Sequence, residues 1–407
     1  MKKVLTIGFK GFLIVAFMAT LIVSGASSLH AKDVIKFGCA ICFTGKNSRT
    51  GKLYVDSYNL AKEAINKAGG IKVGGKSYLV EIKYYDDKSN DAESAKLVEK
   101  LIVEDKVNFL LGPYTSWITI PDSLVAQRYK IPMVEGGGAS SKIFSRKNPY
   151  IFGTLPAASQ YFYSTLEMLA GFKPKPKKIA IIFGDDKFDI MVAKGVKKAV
   201  KKFGFELVLY EKISESSADF NTILTKVKSL APDVLLMAGH TIGGINLVQQ
   251  AKELDVNVKM ISMTVGPSEA DFRKSLGKDA EYIFGVASWS PQMNYKGIIF
   301  KDTQDFVKKF KAKYNYDPDY HNASAVAVLA VFKNAIEKAG TLDPQKVRDE
   351  IAKTDIETIY GPVKFNPNGQ IKGSSVVLQI QGGKVYQVYP KGSRKPIYPM
   401  PKWKERK

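Results

Sequence analysis

Apolar positions in this chain follow two alternating rhythms. Short apolar runs, as at 34–43 and 179–183, read as strands. Between them, apolar residues recur every three or four positions, the period of a helix with one buried face. Tyr54, Tyr58, Ala61, Ile65 and Ala68 form the first such stripe, stopped by Gly69 and Gly70. A strand at 78–85, a helix marked by Ala95, Val98, Leu101 and Ile102, a strand at 108–111, a helix at 116–129 and a strand at 131–134 continue the series. The pattern then restarts. Strands are predicted at 150–152, 179–183, 205–210, 234–237, 258–262 and 282–286, with helices at 159–169, around Val192 to Phe203, at 220–230 and at 247–254. Three more helices follow at 306–314, 323–339 and 344–352, and the stretch 361–389 is β-like with hairpin-type turns at NPNGQ and QGGK.

Strand–helix alternation builds parallel sheets covered by helices on both faces, and two successive runs imply two such lobes. The first run has too few helices to cover its sheet, so the late helices must return to it. The chain is therefore interleaved, with several crossings, as a hinged cleft requires. Ligands of such sheets sit beyond the carboxyl ends of the strands. The loops there are TGKNSRTG (44–51), GPYTSW (112–117), VEGGGASS (134–141), GDDKFD (184–189) and GHT (239–241). They hold hydroxyls, glycines and aromatics and few titratable groups. Backbone N–H groups and hydroxyls at a helix start can hold an anion, a carboxylate included. Ser116 stands where the third helix begins, a position that suits both an N-cap and a ligand anchor.

The first residues bear on compartment. Lys2, Lys3 and Lys10 precede an apolar stretch ending at Val23, and small residues follow it. That order is expected of a secretory signal peptide, with cleavage after Ala26 or after Ala31. The remaining length suits two domains. The 407 residues are 45% hydrophobic and carry a formal charge of +22. The lysines are scattered, and the densest runs, KPKPKK and KWKERK, read as a loop and a tail. No aromatic-interleaved basic face can be built from them, so no nucleic-acid partner is expected. A basic surface can still draw in anionic solutes. The two cysteines, Cys39 and Cys42, have redox spacing, but in a strand such residues lie about 10 Å apart, too far for a disulfide. They are expected to be buried free thiols.

An inventory of reactive groups argues against catalysis. There are three histidines, His30, His240 and His321, too few near one place for a His-rich metal centre, and His321 is expected to be structural. GxSxG, HExxH and GxxxxGK[ST] are absent. The acid pairs Asp86–Asp87 and Asp185–Asp186 point apart as neighbours and read as capping or hinge groups. Neither enzyme activity nor a cofactor nor a metal is expected.

The order IKFGCAICFTGKNSRTG, INKAGGI, VEIKYYDDKSN, FLLGPYTS, IPMVEGGGAS, KIAIIFGDD and YGPVKFNPNGQIKG resembles the periplasmic solute-binding proteins of branched-chain amino acid ABC transporters, the leucine/isoleucine/valine-binding protein family. The resemblance covers nearly the whole chain after the leader. It implies an α/β, type I periplasmic-binding fold: two doubly wound lobes joined by three crossovers around a ligand cleft. Residues 1–31 would be the signal peptide, 32–154 with 287–373 lobe one, and 155–286 with 374–407 lobe two. It further implies a periplasmic monomer that takes a small-molecule carboxylate and delivers it to a membrane permease; a sensory receptor for a signalling partner and a secreted enzyme on the same scaffold are the alternatives.

The resemblance also places a site. Ser116 matches the family's carboxylate-binding serine, with Thr115 beside it; Gly138 and Ser140, with Ala139 between, match the second carboxylate loop. Phe188 matches an aromatic of lobe two, and His240 follows the glycine of VLLMAGH. One departure matters. Where the amino-acid binders carry a glutamate for the ligand's ammonium, MISMTVGP places Thr264. Either Glu135, Asp185 or Asp189 takes over, or the ligand has no ammonium, since a buried ammonium without an anion is costly. The second reading favours a small carboxylate with an apolar or aromatic body, walled by Trp117, Phe188 and Trp289.

Overall fold

The computed structural model describes residues 33–214 and 218–406. The leader reading at 1–31 lies outside the described residues. The first lobe opens with β1 (Val34–Ile41), α1 (Ser48–Lys67), β2 (Ile71–Val73), β3 (Lys76–Asp86), α2 (Asp91–Val103), β4 (Phe109–Leu111), α3 (Ser116–Tyr129), β5 (Met133–Glu135), α4 (Ser141–Phe144) and β6 (Ile151–Gly153). The second lobe follows with α5 (Tyr163–Ala170), β7 (Lys178–Phe183), α6 (Lys187–Lys202), β8 (Glu206–Lys212), α7 (Asn221–Leu230), β9 (Val234–Ala238), α8 (Thr241–Glu253), β10 (Met260–Met263), α9 (Ala270–Leu276) and β11 (Phe284–Ala287). The chain ends with α10 (Thr303–Tyr314), α11 (Tyr320–Ala339), α12 (Pro344–Ala352), β12 (Asp355–Thr358), β13 (Gly361–Lys364), β14 (Val376–Gln381) and β15 (Lys384–Tyr389).

One sheet has the order β2-β3-β1-β4-β5-β6 and the other β15-β14-β11-β10-β9-β7-β8. Within the first, β3, β1, β4, β5 and β6 run parallel. Within the second, β8, β7, β9, β10 and β11 run parallel, and β14 and β15 add an antiparallel edge. In each sheet the strand order reverses once, beside β1 and β4 in the first and beside β7 and β9 in the second. A doubly wound sheet opens a crevice at such a point. β12 and β13 form a separate hairpin.

The late helices do return to the first lobe. Phe332 of α11 packs on Phe37 of β1 and Phe109 of β4, with ring centroids 5.1 and 5.4 Å away. Every position of α11 from Tyr320 to Phe332 is buried, which explains why its apolar residues run all round the helix rather than along one stripe. Both cysteines are buried and free. Burial pushes both thiols well above their ordinary range, with the Asp87 charge adding to it.

Two boundaries differ from the sequence expectation for identifiable reasons. α8 begins at Thr241, six residues early, because Gly243 and Gly244 break the apolar stripe. A Cβ on either would lie 3.2 Å from a methionine sulfur or methyl of the underlying sheet, so the glycines let the helix start close against it. α11 begins at Tyr320, where Asp319 and Asn322 form a capping box ahead of the alanine-rich run. Among the described residues no helix is long and apolar enough to cross a membrane.

Candidate ligand cleft

The loops after β1, β4, β7 and β9 meet where the two sheets face each other. Between them lies a narrow pocket, open on one side, with about 10 Å³ of water-sized space. The first lobe lines it with Tyr114, Thr115 and Ser116 at the start of α3, Gly137 and Ala139 after β5, and Tyr320 and His321 at the start of α11. The second lobe adds Phe188, His240 and Val265, and the crossing segment adds Leu155 and Tyr161. No acidic side chain, lysine or arginine is among these residues.

α3 starts at this cavity because Thr115 caps it, its hydroxyl oxygen accepting from the Trp117 N–H at 3.2 Å. The next residue, Ser116, is turned across to the glycine loop. Its Oγ accepts from the N–H groups of Ala139 and Ser140 at 3.0 and 3.1 Å. With both acceptor positions filled, the Ser116 hydroxyl proton is left as a donor at the cavity wall.

The glycine loop is braced from beneath. Glu135 is fully buried, and one carboxyl oxygen accepts from the N–H groups of Gly137 and Gly138 at 2.8 and 2.5 Å. Burial pushes this carboxyl up to about 8, against the lowering effect of those two hydrogen bonds. The glycines serve close approach: a Cβ on Gly137 would fall 2.3 Å from the Pro113 carbonyl, and one on Gly138 2.5 Å from the Ile143 methyl.

Several contacts tie the lobes together across the cleft. His240 Nε2 lies 2.7 Å from the Asp186 carboxylate, and its Nδ1 shares a hydrogen bond of 2.8 Å with the Tyr114 hydroxyl. Burial alone would raise the Asp186 carboxyl, but the His240 imidazole and the N–H groups of Asp189 and Phe188 hold it below its usual value. Ser140 Oγ donates to the Lys187 carbonyl at 3.2 Å. Glu269 of the second lobe accepts from Thr50 of the first at 3.1 Å and from Thr241 at 2.8 Å, and stands 3.8 Å from His321 Nδ1. Burial raises the Glu269 carboxyl, opposed by His321. Two sets of groups could converge on a cation, Asp186–Asp189–His240 and Glu269–Asp319–His321. In each, an aspartate is already spent: Asp186 caps α6 and Asp319 caps α11.

Of the ten residues singled out from the sequence, Thr115, Ser116, Ala139, Phe188 and His240 line the cavity. Gly138 and Ser140 stand one layer behind. Thr264 also stands behind it, its hydroxyl exchanging hydrogen bonds with the backbone of Gly239 at 3.0 and 2.9 Å. Glu135 is turned beneath the loop, because its carboxyl answers the glycine N–H groups. Trp117 lies outside at the rim, 41% exposed, with the Lys187 ammonium 4.4 Å from its ring. Trp289 is a core residue, its indole N–H donating to the Ile359 carbonyl at 2.9 Å, and walls nothing in the cleft. Sequence reasoning missed Tyr114, Tyr161, Tyr320 and His321 as lining residues. The capping pattern Asp319–Asn322 ahead of α11 was the available signal for the last two.

Comparison with known proteins fits this geometry. A family model described as periplasmic binding protein matches residues 34–384. A leucine-, isoleucine-, valine-, threonine- and alanine-binding protein of Pseudomonas aeruginosa is 27% identical over 358 residues, covering 88% of this chain and 92% of that one. Among solved structures, a branched-chain amino acid transporter substrate-binding protein of Streptococcus pneumoniae, in complex with isoleucine, superposes with a TM-score of 0.78 at 22% identity, over 90% of this chain and all of that one. A solute-binding protein of an R. palustris ABC transporter, in complex with benzoate, superposes with a TM-score of 0.75 at 18% identity, over 87% and 95%.

Proposed function

The chain belongs to the periplasmic binding protein family, and from that membership we propose that it is the extracytoplasmic binding component of an ABC importer. It captures a small carboxylate with an apolar or aromatic body, holds it between two closing lobes and presents the closed form to a membrane permease. No bond is made or broken. The lobes of this reading divide at 154/155, 286/287 and 373/374; the first and third cuts fall between strands and the second one residue before the end of β11.

The observation that carries the ligand class is the cavity lining. It offers the Ser116 hydroxyl proton, imidazoles and tyrosines, and no carboxylate. A ligand anion has donors there, whereas an ammonium has no counter-charge at the wall. The relatives named as amino-acid binders favour a second reading, a hydrophobic amino acid. That reading requires an acid now facing away from the cavity to turn into it. Closure follows from differential affinity: a ligand touching both lobes binds the closed form better. The net charge of +22 would speed the encounter with anions.

Calorimetry with benzoate and leucine on the wild type and on Ser116→Ala tests the reading. The alanine variant should lose about 1–3 kcal/mol of carboxylate affinity, the range for a hydrogen bond to a charged group. Unchanged affinity would remove Ser116 as the anchor, and binding of leucine but not of benzoate would favour the amino-acid reading.

A further inference from the structure

The two densest basic runs, KPKPKK at 173–178 and KWKERK at 402–407, stand far apart in the chain. The fold brings them together. Phe172, just before the first run, packs on Tyr398 of the tail, with ring centroids 4.5 Å apart. The Met400 N–H donates to the Lys259 carbonyl at 2.9 Å, and the Trp403 indole N–H to the Val256 carbonyl at 2.8 Å, both just ahead of β10. Asp233, just before β9, accepts from the N–H groups of Lys177 and Lys178 and pairs with the Lys259 ammonium at 2.7 Å. These contacts lie where β7, β9 and β10 begin. The cleft lies beyond the ends of the same strands, so the basic runs meet at the opposite pole of the second lobe.

A third run joins them. α6 leads away from the cleft, and residues 190–204 hold five lysines and no acid. Lys194, Lys197, Lys198 and Lys201 are exposed. The Lys175 ammonium donates to the Phe203 carbonyl at 2.6 Å, which fixes the first run to the end of this helix. Aromatic rings lie under several of the charges: Phe205 is 4.8 Å from the Lys175 ammonium and Tyr210 4.9 Å from that of Lys197.

Among the described residues, no lysine of 173–178 or 190–204 makes an ion pair. Elsewhere on this lobe lysines do find acids: Lys226 pairs with Glu211 and Lys252 with Asp279, each at 2.8 Å. Glu206, level with Lys178 at the start of β8, stands among the lysines and pairs with none of them. A field of one sign repels itself and attracts a partner of the other sign.

The form of the field selects the partner. Lysines are point charges on flexible stems, without the fixed fork by which arginine recognises a single phosphate. Arg406, the arginine of the tail, is spent on the carbonyls of Pro401 and Glu281. α6 and α7 turn their carboxyl ends to this pole, so they offer no free N–H groups to an anion. Such a face matches a plane of diffuse negative charge better than one anion in a pocket. Ile397, 39% exposed beside Tyr398, adds an apolar contact at its edge. An extracytoplasmic chain, as proposed above, has bilayers beside it.

We propose that this pole docks on an anionic phospholipid bilayer, with its lysines over the headgroups and the cleft turned away from them. Docked in this way, the chain is held near the membrane while its ligand entrance stays clear. The proposal does not depend on which ligand the cleft takes.

Vesicle flotation of the purified chain tests it. Vesicles of phosphatidylglycerol mixed with phosphatidylcholine are compared with phosphatidylcholine alone, which reports any binding that needs no lipid charge. The acidic vesicles should bind the chain at about 0.05 M salt and release most of it at about 0.3 M, because salt screens exposed charges. A lysine near such a surface is worth about fivefold in affinity, so Lys197→Gln, Lys198→Gln and Lys201→Gln together should weaken binding about a hundredfold. Lys67→Gln, Lys96→Gln and Lys338→Gln remove the same charge from exposed positions of the first lobe and should change binding less than about threefold. Arginine at 197, 198 and 201 should restore binding, which separates lost charge from lost structure. No binding to the acidic vesicles, equal losses for the two glutamine triples, or an arginine triple as weak as the glutamine one overturns the proposal. Binding of duplex DNA as tight as that of the acidic vesicles at the same salt overturns the lipid assignment as well.

Discussion

Replacing Glu135 by glutamine should change how stability depends on pH and should leave the fold in place. In the folded chain the carboxyl is pushed from 4.5 to about 8 by burial. A carboxyl whose folded value is raised keeps its proton in the native state after the unfolded chain has released it. Its contribution is therefore most favourable below about pH 4.5, falls as pH rises toward 8, and is constant above that. Each pH unit inside the window is worth up to ~1.4 kcal/mol, so the stretch from pH 5 to 8 amounts to roughly 4 kcal/mol at most. Glutamine reproduces the neutral form: its amide oxygen can accept from Gly137 and Gly138, as the carboxyl does now. Urea unfolding followed by intrinsic fluorescence, run at whole pH values from 5 to 8 on both proteins, reads the difference. The glutamine variant should match the wild type near pH 5 and exceed it by a few kcal/mol at pH 8. A difference that stays flat over this range would mean the carboxyl titrates as it does in the unfolded chain, and the account of Glu135 as a neutral brace would fall. Asp87, pushed up to about 7 by burial, adds slope of the same sign to both proteins and cancels in the comparison.

Two further outcomes follow from contacts around the cleft. Tyr114→Phe keeps the ring but deletes the hydrogen bond to His240 that joins the lobes, so ligand affinity should fall about three- to tenfold, and small-angle scattering should show a more open ligand-free form; unchanged affinity and shape would dismiss this contact as a latch. Cys39 and Cys42 should resist thiol reagents in the native state and react on unfolding, since burial both hides the thiols and suppresses the thiolate; rapid native labelling would contradict that burial.

Much of the architecture was legible in the sequence, and the exceptions have physical causes. The bounds of α3 at Ser116–Tyr129 were read correctly because hydroxyl residues open it and Lys130, in a left-handed conformation, closes it. The return of α11 to the first lobe followed from counting the helices needed to cover a sheet. The site was half visible. Loops at strand ends announce themselves by composition, and within them the resemblance to the family singled out Thr115, Ser116, Ala139, Phe188 and His240, which border the pocket. Tyr161 and Tyr320 did not stand out, because both stand beside helix starts and outside the strand-end loops. Trp289 shows the converse: a tryptophan just beyond a strand end invited a ligand role, and packing against Phe306 claimed it for the core. The role of Glu135 needed three dimensions, since a carboxylate directly before a glycine loop can face a ligand or fold under its own backbone.

The acids of the cleft share one arrangement that bears on the ligand. Glu135 stands behind the N–H groups of the glycine loop, Asp186 behind His240, and Asp319 with Glu269 behind His321. Each carboxyl orients a donor or an imidazole, and that group or its neighbour borders the cavity. Such an arrangement fixes the direction of polar groups in advance, so that little reorganisation is needed when a ligand arrives. It also keeps these acids, with Asp186 the one held toward its charged form, one layer away from the space a ligand would fill. An amino acid's ammonium would have to draw one of these acids forward and break the contact it now makes. A carboxylate needs no such rearrangement, since the Ser116 proton is already unspent.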